Sequence, residues 1–326
     1  SILWTGGAGS WQDAGTLSPT YIPDASEYGT SVTLTITAEP ISPCETSDDD
    51  SMELFIQEGP AADAGSDATI CEGDSYTIND AEAGNYSSIS WTAGNSIDKG
   101  KAIGDGTWSP DPPTGTLTPT YTPGPEDIAN GWVWLRLTVQ PKDPCTTAAI
   151  DDMQLTINPA PDAHFCVNDE ISGYGDEFEV CYNENVKVTM CNILSGIGPF
   201  DVCWTLDGGD EECKTVGEGG ELYNDLLDVG THEIQLTSLT DASGCELLDP
   251  TNYTMTVIVN PEPDANFCVN EQTAGYGDEF SFCYDETVNV TMCEILSGTG
   301  PFEVCWKLDD GTEECLTVNE GESLYN

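Results

Sequence analysis

Apolar and polar residues alternate along several stretches of this chain. In residues 133–139 and again in 200–206 every second residue is apolar, which is the period of a β-strand, since successive side chains point to opposite faces of a sheet. Proline, glycine and acidic residues concentrate between such stretches, as in 120–131, and favour turns. The pattern predicts an all-β chain of short strands joined by tight turns.

Internal repeats organise the chain into predicted domains. Residues 162–224 and 264–326 are identical at 43 of 63 positions without a gap, and TLSPTY at 16–21 returns as TLTPTY at 116–121. Units of about 100 residues are usual for immunoglobulin-like β-sandwiches. We therefore expect tandem β-sandwich domains of this kind in an extended array, with these bounds: the C-terminal part of a first-type domain (1–60), a complete first-type domain (61–160), a complete second-type domain (161–262) and the N-terminal part of another second-type domain (263–326).

Disulfides explain the cysteines better than metal sites do. The 14 cysteines lack the closely spaced pairs of zinc sites, which indicates an oxidising, extracytoplasmic compartment. In the first-type domain we expect Cys71 to pair with Cys145. Six cysteines in the second-type domain allow fifteen disulfide connectivities. Alternate residues of a strand point to opposite faces of the sheet, and the face on which each cysteine is expected reduces the number of possible pairs. The predicted bridges there are Cys203–Cys213, Cys166–Cys191 and Cys181–Cys245, followed in the final copy by Cys305–Cys315 and Cys268–Cys293, with the partner of Cys283 expected beyond residue 326.

Acidic residues dominate the charge. The sequence has 59 Asp and Glu against 7 Lys and Arg, for a formal net charge of −52. Such a charge repels nucleic acid and anionic membranes, and no apolar run approaches the roughly 18 residues that span a bilayer. We therefore expect no nucleic-acid partner and no direct membrane insertion by this segment. Calcium is the one candidate cofactor, because Asp48–Asp50 and the pair Glu126 and Asp127 offer oxygen ligands, although the EF-hand pattern is absent.

Side chains suited to catalysis are scarce. The two histidines are His164 and His232, and Asn266 stands in place of His164 in the sibling repeat, so we predict no catalytic residue. The alternation along their predicted strand places the side chains of Trp134 and Arg136 on the outer face of the sheet. These two residues form the candidate surface-binding site, for a glycan or for a neighbouring domain.

Short patterns suggest sites of modification. Asn85, Asn252 and Asn289 begin N-x-[ST] sequons, which permit N-glycosylation. The tripeptide Asp50-Ser51-Met52 resembles the O-glycosylation acceptor known from Bacteroidota, with Ser51 as the acceptor.

Two groups of motifs carry a resemblance to a known family. The segments DAGSDATICEGDSYTI, SISWT and TLTPTYTPGPEDIANGWVWLRLTV resemble the immunoglobulin-like repeats in giant surface proteins of gliding and adhesive Bacteroidota. The segments ILSGIGPFDVCWTLDGG, LLDVGTHEIQLTSLTDASGC and VIVNP resemble the PKD-like and SprB-type repeats of the same proteins, among them the flavobacterial gliding-motility adhesin. Six cysteines per second-type domain depart from the single bridge that is usual in the family.

The resemblance implies a function. A chain of this family is expected to be exported by the type IX system and attached to the outer membrane of a Gram-negative bacterium. It would form a non-catalytic stalk or adhesive filament for gliding or surface attachment. Its expected partners are the neighbouring repeats, further copies in a filament, and the surface or glycan ligand of a distal tip. The alternatives are a glycan- or matrix-binding module and a spacer in a large secreted hydrolase.

Overall fold

Strands joined by turns make up nearly all of the chain. The computed structural model describes residues 1–94, 104–172, 176–250, 253–275 and 277–326. Helical structure within these ranges includes only short elements, such as the six-residue helix α1 (Pro125–Asn130) and a 3₁₀ turn (Ala25–Glu27). The predicted all-β class is confirmed. The chain forms two compact units, Ser1–Pro159 and Ala160–Asn326.

The first 60 residues of the first unit form two small sheets. A three-stranded sheet has the order β1-β4-β5, and β2 pairs with β3 in a separate ladder. All these pairs are antiparallel. The strands are β1 (Ile2–Thr5), β2 (Ser10–Gln12), β3 (Thr20–Ile22), β4 (Ser31–Ala38) and β5 (Asp48–Phe55).

Residues 61–158 of the same unit form a β-sandwich around an apolar core. The strands are β6 (Ala61–Asp63), β7 (Ala68–Cys71), β8 (Tyr76–Thr77), β9 (Glu82–Gly84), β10 (Tyr86–Gly94), β11 (Thr107–Ser109), β12 (Thr120–Thr122), β13 (Trp132–Pro141) and β14 (Ala149–Asn158). The main sheets have the orders β10-β13-β14-β7 and β11-β12-β8. Trp91 and Tyr121, one from each sheet, are buried together with the alternate apolar residues of β13. The period-two pattern of 133–139 therefore marks the buried face of a central strand.

The second unit opens with a second β-sandwich, in residues 162–260. Its strands are β15 (Asp162–Val167), β16 (Glu170–Ser172), β17 (Glu177–Cys181), β18 (Asn185–Ser195), β19 (Phe200–Leu206), β20 (Glu212–Val216), β21 (Gly220–Leu226), β22 (Gly230–Thr240) and β23 (Thr254–Asn260). They form sheets of order β16-β15-β18-β21 and β17-β23-β22-β19-β20. Phe165 and Met190 from the first sheet meet Phe200, Trp204 and Leu236 from the second in the core.

The remainder of the second unit repeats the first part of this sandwich. Its strands are β24 (Asp264–Val269), β25 (Gln272–Ala274), β26 (Val290–Ser297), β27 (Phe302–Trp306), β28 (Glu314–Val318) and β29 (Ser323–Tyr325), with sheet orders β25-β24-β26-β29 and β27-β28. The register is repeated too, since Phe267 lies opposite Met292 as Phe165 lies opposite Met190. Phe302 is only half-buried, whereas its counterpart Phe200 is buried; in the described residues β27 pairs with β28, whereas β19 lies between β22 and β20.

Disulfides tie adjacent strands together within the second unit. Cys166–Cys191 joins β15 to β18 and Cys203–Cys213 joins β19 to β20; the copies Cys268–Cys293 and Cys305–Cys315 occupy equivalent places. These are the pairs that side-chain parity predicts for neighbouring strands. Cys203 and Cys213 lie directly opposite each other on the adjacent strands β19 and β20. Their side chains therefore point to the same face of the sheet and can meet.

The other two predicted bridges, Cys71–Cys145 and Cys181–Cys245, are wrong. Cys145 and Cys181 are free thiols, whereas Cys71 and Cys245 are each disulfide-bonded. The reason is the strand topology, because β7 runs parallel to β14 and β17 runs parallel to β23. This arrangement places the two cysteines of each predicted pair at opposite ends of a sheet, far beyond the Cα separation of about 4.4–6.8 Å that a disulfide allows.

Candidate functional site

A hydrogen bond between a tyrosine and a carboxylate fixes the corner after β12. Tyr121 donates from its hydroxyl to Asp127 Oδ2 over 2.5 Å, and both side chains are buried. Burial and the neighbouring Asp127 carboxylate raise the pKa of Tyr121. The Asp105 carboxylate accepts from the backbone N–H of Glu126 and of Asp127 at the start of α1. Of the two acids that the sequence offered as calcium ligands at this corner, Asp127 is thus engaged in the fold through its carboxylate, whereas Glu126 is exposed.

The same corner occurs in the first 60 residues with a longer acid. Tyr21 donates to Glu27, whose carboxylate also accepts from the backbone N–H of Ala8 and of Asp24. The hydrogen bond from Tyr21 is the main cause of the lowered pKa of Glu27. The sequence interpretation missed this pair, although its signal was present, since an acid follows the tyrosine of TLSPTY and of TLTPTY by six residues in both copies.

The candidate binding residues Trp134 and Arg136 lie on the outer face of β13, as their parity predicts. Arg136 donates from Nε to Asp152 Oδ1 over 2.6 Å and from Nη2 to Asp152 Oδ2 over 2.8 Å. This two-point contact is the main cause of the raised pKa of the Arg136 guanidinium. The Trp134 ring meets the Trp132 ring edge-on, with centroids 6.4 Å apart. On β10, the residue opposite Trp134 is Gly94, which has no side chain to cover the ring.

The acidic run Asp48–Asp50 lies on the exposed strand β5, beside Ser51. Because side chains alternate along a strand, Asp49 faces away from Asp48 and Asp50. The three carboxylates therefore do not converge as calcium ligands would. Ser51 is exposed on the same strand, as an acceptor of a glycan would need to be.

The two histidines lie on different strands and have different surroundings. His232 Nδ1 is 2.8 Å from Asp207 Oδ2, and its Nε2 is 2.8 Å from the carbonyl oxygen of Asp228. The bond to Asp207 is the main cause of the raised pKa of His232 and of the lowered pKa of Asp207. These contacts join a carboxylate and a carbonyl to the imidazole and bring no hydroxyl or thiol nucleophile to it. His164 lies on β15 opposite Asn192.

Other candidate chemistry is limited in the described part of the chain. One cluster there has the spacing of metal ligands, Cys203 with Glu211 and Cys213, but its two sulfurs are bonded to each other and offer no thiolate. Of the sequons, Asn85 and Asn289 lie on partly exposed positions, while Asn252 is outside the described residues. No described helix is long and apolar enough to cross a membrane.

Comparisons with known proteins find solved structures of low similarity and no family. No family model matches the chain, and no curated protein matches it. Similar solved structures include the extracellular cadherin domains 1–4 of protocadherin gamma B7, at TM-score 0.32 and 13% identity over 98% of this chain and 84% of that one. Mouse cadherin-23 EC22–24 has TM-score 0.32 and 16% identity over 80% of this chain and 86% of that one. A Ca²⁺-stabilized adhesin with which an Antarctic bacterium binds ice has TM-score 0.30 and 11% identity over 90% of this chain and 74% of that one. At these TM-scores the similarities assign neither a family nor a function.

Proposed function

We propose that the chain is a non-catalytic segment of a secreted cell-surface protein, in which repeated β-sandwiches form the stalk or filament of an adhesin. The division into four domains, 1–60, 61–160, 161–262 and 263–326, belongs to the proposal, as does their arrangement in an extended array. Each domain contributes length and mechanical strength, and the adhesive ligand is bound elsewhere, at a distal tip.

The observation that carries the proposal is what the two second-type copies share. They have the same strand registers, the same core positions and the same two cross-strand disulfides. The candidate chemical groups differ, since Asn266 replaces His164 and Asn289 replaces Lys187. A repeat that keeps its core and cross-links while its polar groups vary supports a role that depends on the fold itself.

The proposed location is the outside of the cell. Four disulfides between neighbouring strands support folding in an oxidising compartment. The net charge of −52 would keep adjacent filaments soluble and apart. Export by the type IX system, attachment to a bacterial outer membrane and a part in gliding rest on the resemblance of the repeat motifs.

The test uses the organism that makes the protein. Antibodies raised against this chain should label intact cells, and deletion of the gene should reduce attachment to a surface without loss of any hydrolytic activity in the culture fluid. Labelling that requires permeabilised cells would refute the surface location. A hydrolase activity that disappears with the gene would favour the spacer alternative.

A second candidate function is supported by the Trp132–Trp134 pair. The two rings lie on the outer face of a sheet, where the residue opposite Trp134 on β10 is Gly94. Flat aromatic surfaces of this kind can stack on sugar rings. A glycan array probed with the chain and with Trp134→Ala tests the idea, and Ile150→Ala, at an exposed position of β14, is the control. Binding that is absent, or is unchanged by Trp134→Ala, would exclude this site.

A further inference from the structure

Strand β20 forms one edge of the five-stranded sheet in residues 162–260, and this edge is open. β20 pairs with β19 on one side only. At 217–219 the chain leaves the sheet, where the Gly219 backbone N–H donates to the Met190 carbonyl of the other sheet, and β21 then pairs with β18. In the described part of the chain, no strand therefore lies against the second edge of β20.

The register shows which backbone groups face the open edge. The Cα atoms of Cys203 and Cys213 are 4.1 Å apart. This is the close spacing of a non-hydrogen-bonded pair, in which the backbone N–H and C=O groups of the two residues point away from each other. Because the two kinds of pair alternate along an antiparallel ladder, Thr215, which lies opposite Asp201, belongs to a pair of the same kind. The N–H and C=O groups of Cys213 and Thr215 therefore face the open edge.

The edge is regular enough to accept another strand. The ladder between β19 and β20 contains no bulge, whereas the ladders of β15 with β18 and of β19 with β22 contain register shifts. Bulges and prolines are common protections of an edge strand, and β20 has neither. The Cys203–Cys213 disulfide holds β20 on β19, so little ordering is needed when a strand is added.

Acidic side chains surround this edge. The exposed carboxylates on β19, on β20 and in the turns beside them belong to Asp201, Asp210, Glu211, Glu212 and Glu218. The one basic residue of β20 is Lys214. These acids repel another copy of a chain whose net charge is −52, which protects the edge from self-association. The same acids attract a strand of positive charge.

The two faces of β20 specify the side chains of that strand. The carboxylate of Glu211 lies within 4.8 Å of the Cys203 and Cys213 sulfurs, on the outer face of the sheet. Val216 is buried on the opposite face. A strand paired with β20 would place every second side chain on the acidic outer face and the others on the side of Val216. Alternating basic and apolar residues fit both faces.

The last repeat has the same edge. The Cα atoms of Cys305 and Cys315 are 4.0 Å apart, so Cys315 and Thr317 face the open edge of β28 in the same way. Leu316, which is 47% exposed, stands in place of Lys214, on the face where the apolar residues of an added strand would lie. The acids are kept at Glu303, Glu313, Glu314 and Glu320.

We propose that the open edges of β20 and β28 bind an extended segment of a basic partner protein, in which basic and apolar residues alternate. The segment adds as a strand through backbone hydrogen bonds, and its charge provides the selectivity. The chain offers this docking site once in each second-type copy. The inference goes beyond the proposed stalk, because it gives the repeats a lateral partner, and it stands whether or not the protein is adhesive.

An acetylated and amidated peptide of alternating lysine and valine is the probe. Calorimetric titration into the whole oxidised chain should show binding that weakens as salt is added, and the corresponding peptide of glutamate and valine should not bind. Amide hydrogen exchange measured by NMR should slow by about tenfold or more at Cys213, Thr215, Cys315 and Thr317 when the probe is bound, because their N–H groups gain acceptors.

A second peptide separates strand addition from attraction by charge. The lysine–valine peptide with an N-methyl group on every residue keeps its charge but has no backbone donor, and it should bind about tenfold more weakly or worse. Equal binding of the two peptides would overturn the proposal, as would unchanged exchange at the four amides or no binding of the probe. Self-association of the chain that protects these amides would identify a second copy as the occupant and would equally overturn it.

Proline substitution tests the edge itself. Thr215→Pro/Thr317→Pro removes one outward N–H from each edge and is compatible with the remaining ladder, since proline is tolerated on an edge strand where its nitrogen faces solvent. Binding of the probe should weaken by about five- to tenfold. Thr215→Val/Thr317→Val also lacks the hydroxyl but keeps both N–H groups, and it is the matched control.

Binding by the proline variant that equals that of the valine control would contradict the proposal. If the proline variant fails to fold, the methylated peptide still decides. Failure of these tests leaves the proposed stalk function untouched, since cell-surface labelling tests that separately.

Discussion

Tyr121 and Asp127, six residues apart, are hydrogen-bonded to each other inside the core of residues 61–158. Among the residues that the structure describes, the buried Asp127 Oδ1 has no hydrogen-bond partner, and Tyr121 is the main partner of the carboxylate, followed by the Gly124 backbone N–H at 3.3 Å. We predict that Tyr121→Phe lowers the free energy of unfolding by roughly 1–3 kcal/mol, because a buried carboxylate loses its main donor. Urea denaturation followed by circular dichroism measures the loss.

Tyr21→Phe is the matched control for this prediction. Glu27 keeps its bonds from the Ala8 N–H at 2.7 Å and from the Asp24 N–H at 2.8 Å when the hydroxyl is removed. The loss of unfolding free energy should therefore be smaller for Tyr21→Phe than for Tyr121→Phe. Equal losses for the two variants would show that the number of remaining donors does not decide the cost.

The contact of His232 with Asp207 predicts a dependence of stability on pH. The pKa of His232 is raised from its ordinary 6.5, so its contribution is fully present below that value and is lost as the pH rises through the higher folded pKa. The pKa of Asp207 is lowered, so its contribution is present above its ordinary 3.8 and is lost as the pH falls through the lower folded pKa. The pair should stabilise most between about pH 4 and 6.5.

Melting temperatures across pH 5 to 9 check this dependence. The difference in Tm between the parent chain and His232→Asn should be largest near pH 6 and should shrink towards pH 9. His164→Asn is the control, because asparagine stands at the equivalent position 266 of the sibling repeat. A difference for His232→Asn that stays constant with pH would rule out the ion pair as its source.

Removal of a cross-strand disulfide should cost more stability when the bridge closes a longer loop, with a logarithmic dependence on loop length. Cys166–Cys191 spans 25 residues and Cys203–Cys213 spans 10. In the chain-entropy account, their loss costs about 3.5 and about 2.7 kcal/mol respectively. Hydrogen exchange in β18 and β19, measured for the two double alanine variants, should show faster opening for Cys166→Ala/Cys191→Ala. Faster opening for the Cys203→Ala/Cys213→Ala variant would show that the contacts of each bridge in the folded state, and not loop closure, determine how much stability it contributes.

Local sequence pattern predicted the strands and the short-range bridges well. Trp91, Val133 and Leu135 are buried as their alternation requires, because side-chain parity is a property of each strand alone. Cys203 and Cys213 could be paired because a tight turn brings their strands into contact. Trp134 and Arg136 were placed on the correct face, but their partners Trp132 and Asp152 were not foreseen, since the register of β14 against β13 is not a local property.

Long-range topology is where the sequence interpretation failed. The alternation of side chains along a strand shows on which face of a sheet a cysteine lies. It does not show at which end of the sheet the cysteine lies. That β7 runs parallel to β14, and β17 to β23, depends on how the whole sandwich is connected. Antiparallel pairing of the same strands would have brought Cys71 towards Cys145, so one unrecognised strand direction overturned both long-range bridges.

The charge of the chain leads to a last prediction. With 59 acidic and 7 basic residues, repulsion between carboxylates opposes folding, and salt should screen it. Sodium chloride up to about 0.5 M should therefore raise Tm, since the Debye length falls well below 10 Å.

Because Asp48–Asp50 alternate between faces and Asp127 is hydrogen-bonded to Tyr121, no convergent set of calcium ligands is formed by these residues. Calcium chloride at matched ionic strength should then raise Tm by about the same amount as sodium chloride, and magnesium chloride is the control for divalent charge. A rise that saturates at micromolar calcium, and that magnesium does not reproduce, would instead demonstrate a specific calcium site.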